Sequence, residues 1–252
     1  MRNEKGTAHG VGERTIRAHY ALRAAKGRHT INTNQVIIFG NQPLASLAWY
    51  CLTHDSPWQV VAFTVDGAYI NANTHEGLPV LPFERLEETH DPGRIRLLIP
   101  LGYRHINGLR MQKFNEARQR GYQFVSYISS RASVWPDLQI GENCMAYEHA
   151  IIQPFAHIGD NVIIRSGVHI SHHSAVGDHC FIGATATLAG NVQLGERCFI
   201  GVNATVIDNV QVAERTFVGA GAVVLKNTDP DSVYVGNPAR KLDRSSLEVT
   251  SR

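Results

Sequence analysis

The chain of 252 residues contains thirteen histidines, and six of them fall between residues 149 and 179. Two of the six, His172 and His173, are adjacent. An imidazole exchanges a proton near neutral pH, and it is also the commonest side-chain ligand of zinc. The cluster therefore predicts either general acid–base chemistry or a metal site. Which of the two it is depends on the rings that the fold brings together.

A period of six residues governs the segment that must position these histidines. From Ile128 to Val218 every sixth residue is Ile, Val or Leu, with Ala146 as the single exception. The fourth residue after each of these anchors is small or medium-sized in every repeat except at Leu138. Such a period is typical of a parallel β-helix, whereas a β-sandwich would need irregular turns every 8–12 residues. Three hexapeptides make one triangular coil, so residues eighteen apart stack about 4.8 Å from one another.

Position within the eighteen-residue coil tests the metal hypothesis. No two of the clustered histidines fall in one column (His149, His157, His169, His172, His173 and His179). A tetrahedral zinc site needs three or four ligands that converge at about 2.1 Å from the ion. We therefore expect no metal within one chain, although a site assembled between subunits stays open.

His172 is the more specific candidate for acid–base chemistry. It follows the inward anchor Ile170 by two residues, which places it near a corner of the coil and outside the core. Gly190 stands in the same column one coil later. A base and a backbone amide without a side chain would then lie about one strand spacing apart, where one reacting group could meet both. The alternative is an ordinary exposed corner histidine.

Strands alternate with helices in residues 35–127, which predicts a small parallel α/β domain. The predicted strands are Gln35–Gly40, Gln59–Asp66, Ile95–Ile99 and Tyr122–Ile128; Leu78–Phe83 is an extended segment, and the predicted helices are Leu44–Thr53 and Ile106–Arg120. Ligands of such sheets bind beyond the carboxyl ends of the strands, where Gly40, Asn41 and Asp66 lie. The loop after the first strand lacks the Gly-rich dinucleotide fingerprint, so we do not expect bound NAD. An ordinary turn glycine and a capping aspartate remain the alternatives.

Composition excludes several classes of partner. A formal charge of +2 gives no reason to expect nucleic acid or an anionic membrane. No apolar run indicates a signal peptide or a membrane span, and the chain is expected to be cytoplasmic. Cys144, Cys180 and Cys198 share an inward column and are interpreted as reduced core residues. Residues 1–34 carry seven Lys or Arg and two Glu, so a basic flexible extension is expected, with one short helix around Arg14–Lys26.

Four segments follow from these patterns. They are a basic extension (1–34), a small Rossmann-like α/β domain (35–127), a parallel β-helix (128–225) and a C-terminal segment (226–252).

The chain from Gln35 to Leu242 resembles the sugar acyltransferases of the NeuD/PglD type. The resemblance rests on VIIFG after Gln35, FTVD at the end of the second strand, the sixteen hexapeptides, SHHSAVGD, LAGNV and the closing VGNPARKL. It implies a left-handed β-helix, a homotrimer, and acetyl-CoA as co-substrate. It also implies transfer to a sugar, most of all to the amino group of a nucleotide-linked amino sugar used for a surface polysaccharide or glycan.

The resemblance also implies roles for individual residues. His172 matches the family's catalytic histidine, and Gly190 matches the glycine whose N–H holds the thioester carbonyl. Arg240 and Lys241 match a segment that lies beside coenzyme A, where they could meet its phosphates. Gly40, Asn41 and Asp66 lie in or near the loop that matches the family's nucleotide-sugar site.

The sequence departs from the family's pattern at three places. His173 stands where a member that acts on amino sugars has Glu, and Phe181 stands where some relatives have a further His. The loop at Gly40 lacks the family's Gly-x-Gly-Gly-His. Alternatives therefore remain: O-acetylation of a sugar as in sialic-acid acetylation, a zinc site like that of γ-class carbonic anhydrases, and a β-helix scaffold without turnover.

One outward column of the coil is strongly apolar. Its members directly precede inward anchors at intervals of eighteen residues (Met145, Ile163, Phe181, Phe199 and Phe217). A contiguous apolar stripe of this size normally marks an interface. We expect a neighbouring subunit of a trimer to cover it, with cover by residues 226–252 as the alternative.

Overall fold

The computed structural model describes residues 34–251. The basic extension, with its expected helix around Arg14–Lys26, therefore lies outside the described residues apart from Asn34. Within the described part, no helix is long and apolar enough to cross a membrane.

A six-stranded sheet forms first, in the order β3-β4-β2-β1-β5-β6. Its elements are β1 (Gln35–Phe39), α1 (Pro43–Asp55), β2 (Gln59–Val65), β3 (Thr74–His75), β4 (Leu78–Pro82), β5 (Arg96–Leu98), α2 (Gly108–Gln119) and β6 (Gln123–Phe124). All neighbours pair in parallel except β3 and β4. The α/β prediction is therefore confirmed, and the extended segment at Leu78 is β4; β3, its antiparallel partner, is the strand that the sequence did not indicate.

The remaining strands form a triangular coil with two-residue strands on each face. The first face contains β7 (Tyr127–Ile128), β10 (Met145–Ala146), β13 (Ile163–Ile164), β16 (Phe181–Ile182), β19 (Phe199–Ile200) and β22 (Phe217–Val218), followed by β24 (Ser232–Val235) and β25 (Arg240–Ser245). The second face contains β8 (Ser133–Val134), β11 (Ile151–Ile152), β14 (His169–Ile170), β17 (Thr187–Leu188), β20 (Thr205–Val206) and β23 (Val223–Val224). The third face contains β9 (Gln139–Ile140), β12 (His157–Ile158), β15 (Ala175–Val176), β18 (Gln193–Leu194) and β21 (Gln211–Val212). The chain closes with α3 (Ser246–Thr250).

Every coil pairs with the next at a spacing of eighteen residues. Ile152 lies beside Ile170, and Ile170 beside Leu188. The second residue of each strand points inward, where most anchors are fully buried and each isoleucine contributes about 1.5–3 kcal/mol. The predicted β-helix is confirmed, and Cys144, Cys180 and Cys198 are buried in its core.

The predicted fourth strand, Tyr122–Ile128, is wrong as a single element. Gln123–Phe124 belongs to the six-stranded sheet, whereas Tyr127–Ile128 is the first strand of the coil. The chain changes partner between them: the N–H of Val125 donates to Leu97, and the N–H of Tyr127 donates to Cys144.

The apolar column points outward as predicted, but its expected cover is wrong. The residues of the α/β part pack against it, so that Phe181 and Phe199 keep only 8 % exposure within one chain. Tyr103 lies edge-on to Phe181 and 4.3 Å from the centre of the Phe199 ring. The column had no partner among the hexapeptides alone, and the chain's own sheet domain supplies it. Neither a neighbouring subunit nor residues 226–252 is needed.

A buried arginine joins the two parts of the chain. Arg110 of α2 is fully buried, and all its hydrogen-bond acceptors are amide or carbonyl oxygens. Four of these acceptors lie on the coil, on Asn161, His179 and Cys180, and the others lie on Asn107 and the loop before α2. Burial lowers the pKa of Arg110 to about 10, so the side chain remains charged at neutral pH.

Three consecutive residues before α2 are in the left-handed region, which delays the helix start from the predicted Ile106 to Gly108. The φ angles are 54° at His105, 45° at Ile106 and 62° at Asn107. A β-branched residue is strained there, so the turn must be held from outside. Thr250 of α3 accepts from the N–H groups of His105 and Ile106, at 3.0 and 2.7 Å. Arg197 donates to both carbonyl oxygens.

An asparagine ladder beside Arg110 fixes the charge state of one histidine. The amide of Asn143 donates to Oδ1 of Asn161, so Nδ2 of Asn161 donates to Nδ1 of His179 at 2.8 Å. Burial lowers the pKa of His179 to about 4, with the nearby Arg110 charge acting in the same direction. The folded protein therefore holds this ring neutral.

Protonation of His179 should destabilise the protein in mild acid. The ring takes up a proton near pH 6.5 in the unfolded chain but near pH 4 in the folded one. The stability that the neutral, buried ring contributes is therefore present above pH 6.5 and is lost as the pH falls towards 4. Between pH 7 and 5 the loss from this group is about 2 kcal/mol. Chemical denaturation at both pH values should show a smaller loss of stability for His179→Asn, because the asparagine side chain takes up no proton in this range. Asparagine is chosen because it suits the left-handed backbone at this position.

His149→Asn is the matched control, because His149 is an exposed histidine in the same backbone conformation. Between pH 7 and 5 the His149→Asn protein should lose as much stability as the unmodified protein. Equal losses in all three proteins would contradict the assignment.

Candidate active site

His172 and His173 occupy the corner between the second and third faces. They follow β14 and precede β15, and both side chains are exposed. Their Nδ1 atoms lie 3.1 Å apart, so one atom donates a proton to the other. If the Nδ1 of His172 carries that proton, its Nε2 is free to accept another. His173 then orients its neighbour without supplying a negative charge.

Gly190 leaves the space that the His172 ring occupies. A Cβ at this position would lie 3.0 Å from Cε1 and 3.2 Å from Nε2 of His172, which is too close for a side chain beside a fixed ring. The predicted stacking of these two residues is therefore present. Because glycine has no side chain to cap the N–H of His172, Oε1 of Gln153 accepts it at 2.9 Å.

Asp208 is a neighbour of Gly190 that the sequence analysis missed. It stands one coil beyond Gly190 in the same column, and its Oδ1 accepts the N–H of Gly190 at 2.8 Å. The N–H expected to hold a thioester carbonyl is therefore engaged by a carboxylate in this structure. Continuing the eighteen-residue step by one more coil would have found Asp208.

An aromatic side chain supports the histidine pair from the preceding coil. Phe155 is 72 % exposed and has a φ of 65°, a conformation that later coils in this column fill with Asn191 and Asn209. Its ring lies 4.7 Å from the ring of His173. Phe155 also lines a cleft of about 240 Å³ together with Trp135. The stack restricts His173, and through it His172.

A second site, a cavity of about 1110 Å³, opens at the carboxyl ends of β1, β2 and β5. Gly40, Asn41 and Asp66 all line it, as expected from their positions at strand ends. Gly40 has a φ of 129° and would need a Cβ only 3.2 Å from that of Ala45. Asn41 donates to the carbonyl of Tyr69 and so ties the first loop to the second.

Asp66 is paired in a way that the sequence did not indicate. Nζ of Lys113 lies 2.6 Å from its Oδ1 and 2.9 Å from Glu116. Burial acts to lower the pKa of Lys113, but the hydrogen bonds that Lys113 donates to Asp66 and Glu116 outweigh it and leave the pKa raised. Arg104 and His105 line the same cavity from the loop before α2. The wall thus offers cations for phosphates and a carboxylate for hydroxyl groups.

Arg240 and Lys241 lie on β25, at the end of the coil. Nζ of Lys241 forms an exposed ion pair with Asp229 at 2.9 Å. The preceding loop contacts the second face, since the N–H of Ala239 donates to Val223 and the N–H of Val223 to Gly236. This face is also the one that leads into His172.

The structure brings some of the expected residues together and separates others. His172, His173 and Gly190 form one group, and Gly40, Asn41 and Asp66 form another. The cavity belongs to the part of the chain that packs on the first face, whereas His172 lies at the opposite corner of the triangle. Among residues 34–251 no three His, Cys, Asp or Glu gather as ligands for a metal ion.

Comparison with known proteins agrees with this architecture. Four overlapping segments match the bacterial transferase hexapeptide (six repeats) family: residues 137–172, 155–190, 173–207 and 191–226. No curated protein sequence matches the chain.

Solved structures resemble it over most of its length. PerB from Caulobacter crescentus, in complex with CoA and GDP-perosamine, is 30% identical, with a TM-score of 0.75, 82% of this chain and 97% of that chain covered. A variant of the perosamine N-acetyltransferase from the same bacterium, with the same two ligands, is 29% identical (TM-score 0.76; 82% and 96% covered).

The acetyltransferase domain of PglB from Neisseria gonorrhoeae, in complex with acetyl coenzyme A, shares the fold at 22% identity (TM-score 0.72; 84% and 100% covered). The repeats, the sheet domain before them and the similarity to PerB over nearly its whole length agree. The chain therefore belongs to the left-handed β-helix acyltransferases built on hexapeptide repeats, in the group of NeuD/PglD-type sugar acyltransferases.

Proposed function

We propose that the protein transfers an acetyl group from acetyl-CoA to the amino group of a nucleotide-linked amino sugar. The observation that carries the proposal is the corner at which Nε2 of His172 faces the side-chain-free space beside Gly190. PerB, whose structure contains CoA and GDP-perosamine, supports the same substrate classes. A mass-spectrometric screen of GDP-, UDP- and dTDP-linked amino sugars with acetyl-CoA tests it, and the absence of acetylated product throughout would contradict it.

The chemistry assigned to the corner is acyl transfer with a general base. The amine nitrogen attacks the thioester carbonyl carbon, a C–N bond forms, and the C–S bond breaks to release coenzyme A. Nε2 of His172 takes the proton that the nitrogen loses, and the proton then passes to the leaving sulfur. The N–H of Gly190 stabilises the carbonyl oxygen as negative charge develops, once Asp208 has released it. By accepting a hydrogen bond from Nδ1 of His172, His173 would hold the tautomer that leaves Nε2 unprotonated.

The cavity of the α/β part is assigned to the nucleotide. The diphosphate would meet the backbone at Gly40, the guanidinium of Arg104 and the ring of His105. Asp66 would accept hydrogen bonds from the ribose or the base through the oxygen that Lys113 does not bind. Arg240 and Lys241, at the end of the coil, would bind the phosphates of coenzyme A.

A homotrimer would complete this site. Within one chain the nucleotide cavity and His172 lie on opposite sides of the coil, so the coil would separate a nucleotide sugar bound in that cavity from His172. A neighbour in a three-fold ring can place its own cavity beside this corner. The separation of the two half-sites, and not the apolar column, supports the trimer.

Removal of the base should slow turnover without weakening binding. His172→Ala is expected to lower kcat by about 10²–10⁴-fold, while the KM values for both substrates change little. His173→Ala should cost less, because His173 acts through its neighbour. His149→Asn serves as the control histidine on another corner and should leave kcat unchanged. An active His172→Ala with an inactive His173→Ala would reverse the two roles.

Loss of the Asp66 charge should affect one substrate only. Asp66→Asn is expected to raise the KM for the nucleotide sugar about tenfold, since a hydrogen bond to a charged group contributes about 1.5–3 kcal/mol. The KM for acetyl-CoA should not change. Glu116→Gln is the matched control, because Glu116 is the other partner of Lys113 but does not line the cavity. Equal effects of both substitutions would show that only the Lys113 charge matters.

Mixing two inactive variants tests the shared site. His172→Ala and a variant with a blocked cavity, Gly40→Trp, should each keep at most about a hundredth of the normal activity alone. After they are dissociated together and reassembled, about a quarter of the sites in a random trimer would combine an intact histidine with an intact neighbouring cavity. Activity that stays at background in mixtures shown to be trimeric by sedimentation would place both half-sites in one chain.

A further inference from the structure

When Nδ1 of His172 donates to His173, the corner beside Gly190 presents two hydrogen-bond acceptors to the same small space. The position that a Cβ of Gly190 would take lies 3.2 Å from Nε2 of His172 and 3.0 Å from Oδ1 of Asp208. The two acceptor atoms therefore lie no more than about 6 Å apart, a separation that one polar atom on the solvent side of Gly190 can bridge with hydrogen bonds of about 3 Å to each. Both side chains are exposed, so an incoming group can reach this space.

The number of protons on the acceptor atom decides which group fits. A neutral amine has two N–H donors and one lone pair, so it can donate to His172 and Asp208 together while its lone pair faces the thioester. A hydroxyl has only one proton and leaves one of the two acceptors without a donor. Its lone pairs would then face the negative carboxylate, which is unfavourable. The pair of acceptors thus favours an amine.

We infer that Asp208 selects the amino group of the acceptor sugar and holds it beside His172. The inference rests on the proposed acetyl transfer and deepens it, because it names the residue that separates N- from O-acylation. When the thioester carbonyl takes the N–H of Gly190, the Asp208 carboxylate turns from that N–H to the amine. The nitrogen then forms its bond to the carbonyl carbon as the C–S bond breaks. Nε2 of His172 takes the proton that pointed towards it, and the proton passes to the sulfur, so that coenzyme A departs as the thiol.

A purely structural role for Asp208 is the competing explanation, and the chain itself provides the comparison. Asp178 accepts the N–H of Asp160 at 2.7 Å, and Asp160 accepts that of Glu142 at 2.7 Å, also eighteen residues apart. Capping the previous coil is therefore a recurrent use of aspartate in this β-helix. Only at Gly190 does the capped residue lack a side chain and face a histidine.

The test compares Asp208→Asn with the matched control Asp178→Asn. An asparagine keeps the Oδ1 acceptor for the Gly190 N–H, so the cap survives while the charge is lost. We expect kcat/KM for the accepted nucleotide amino sugar to fall about tenfold to a hundredfold in Asp208→Asn. The amine preference is this kcat/KM divided by the kcat/KM for the sugar analogue with a hydroxyl in place of the amine. It should fall by at least tenfold. Asp178→Asn should leave both quantities unchanged.

Each result separates the possible failures. If Asp208→Asn lowers the rates with amine and hydroxyl acceptors equally, or not at all, Asp208 does not select the amine and the inference is wrong. If the unmodified protein acetylates no amino sugar but does acetylate hydroxyl acceptors, both the inference and the proposed N-acetylation fail. An equal fall in the melting temperatures of both variants, with an unchanged amine preference, would show a cap and nothing more.

Discussion

The stacking of coils at eighteen residues is the constraint on which the rest of the structure depends. Each two-residue strand pairs with its counterpart in the next coil, as Ile170 does with Leu188. This register brings residues that are far apart in sequence, such as His172, Gly190 and Asp208, into one column. A single inserted residue would move every later side chain out of its column. The chemistry of the corner is thus a property of the repeat's exact length.

Much of the fold could be predicted from the sequence because its signals are periodic. The anchors at Ile128 to Val218 and the stacking of His172 with Gly190 need only counting by six and eighteen. What covers the Phe181 column could not be predicted this way, since the period specifies that a side chain points outward but not what packs on it. The α/β part reaches that column through Tyr103, which no repeat relates to it.

The site was predictable where one column or one strand end defines it, and not elsewhere. The cavity residues follow from the rule for strand ends, whereas the bond between Asp66 and Lys113 joins residues 47 apart on different elements. The hydrogen bond between His172 and His173 depends on side-chain rotamers that sequence spacing does not determine. Asp208 follows from the repeat alone, since it stands one further step of eighteen residues beyond Gly190.

The left-handed turn at His105–Asn107 has a consequence for how the protein is made. Its backbone is held by Thr250 and Arg197, whereas the sheet that it borders is built from residues 35–124. During synthesis a sheet domain of this kind folds early, before the ribosome has translated the later residues. The nascent domain would therefore have an unfinished cavity wall until residue 250 has left the ribosome. The cavity would thus take its final shape only after residues 197 and 250 have both been translated.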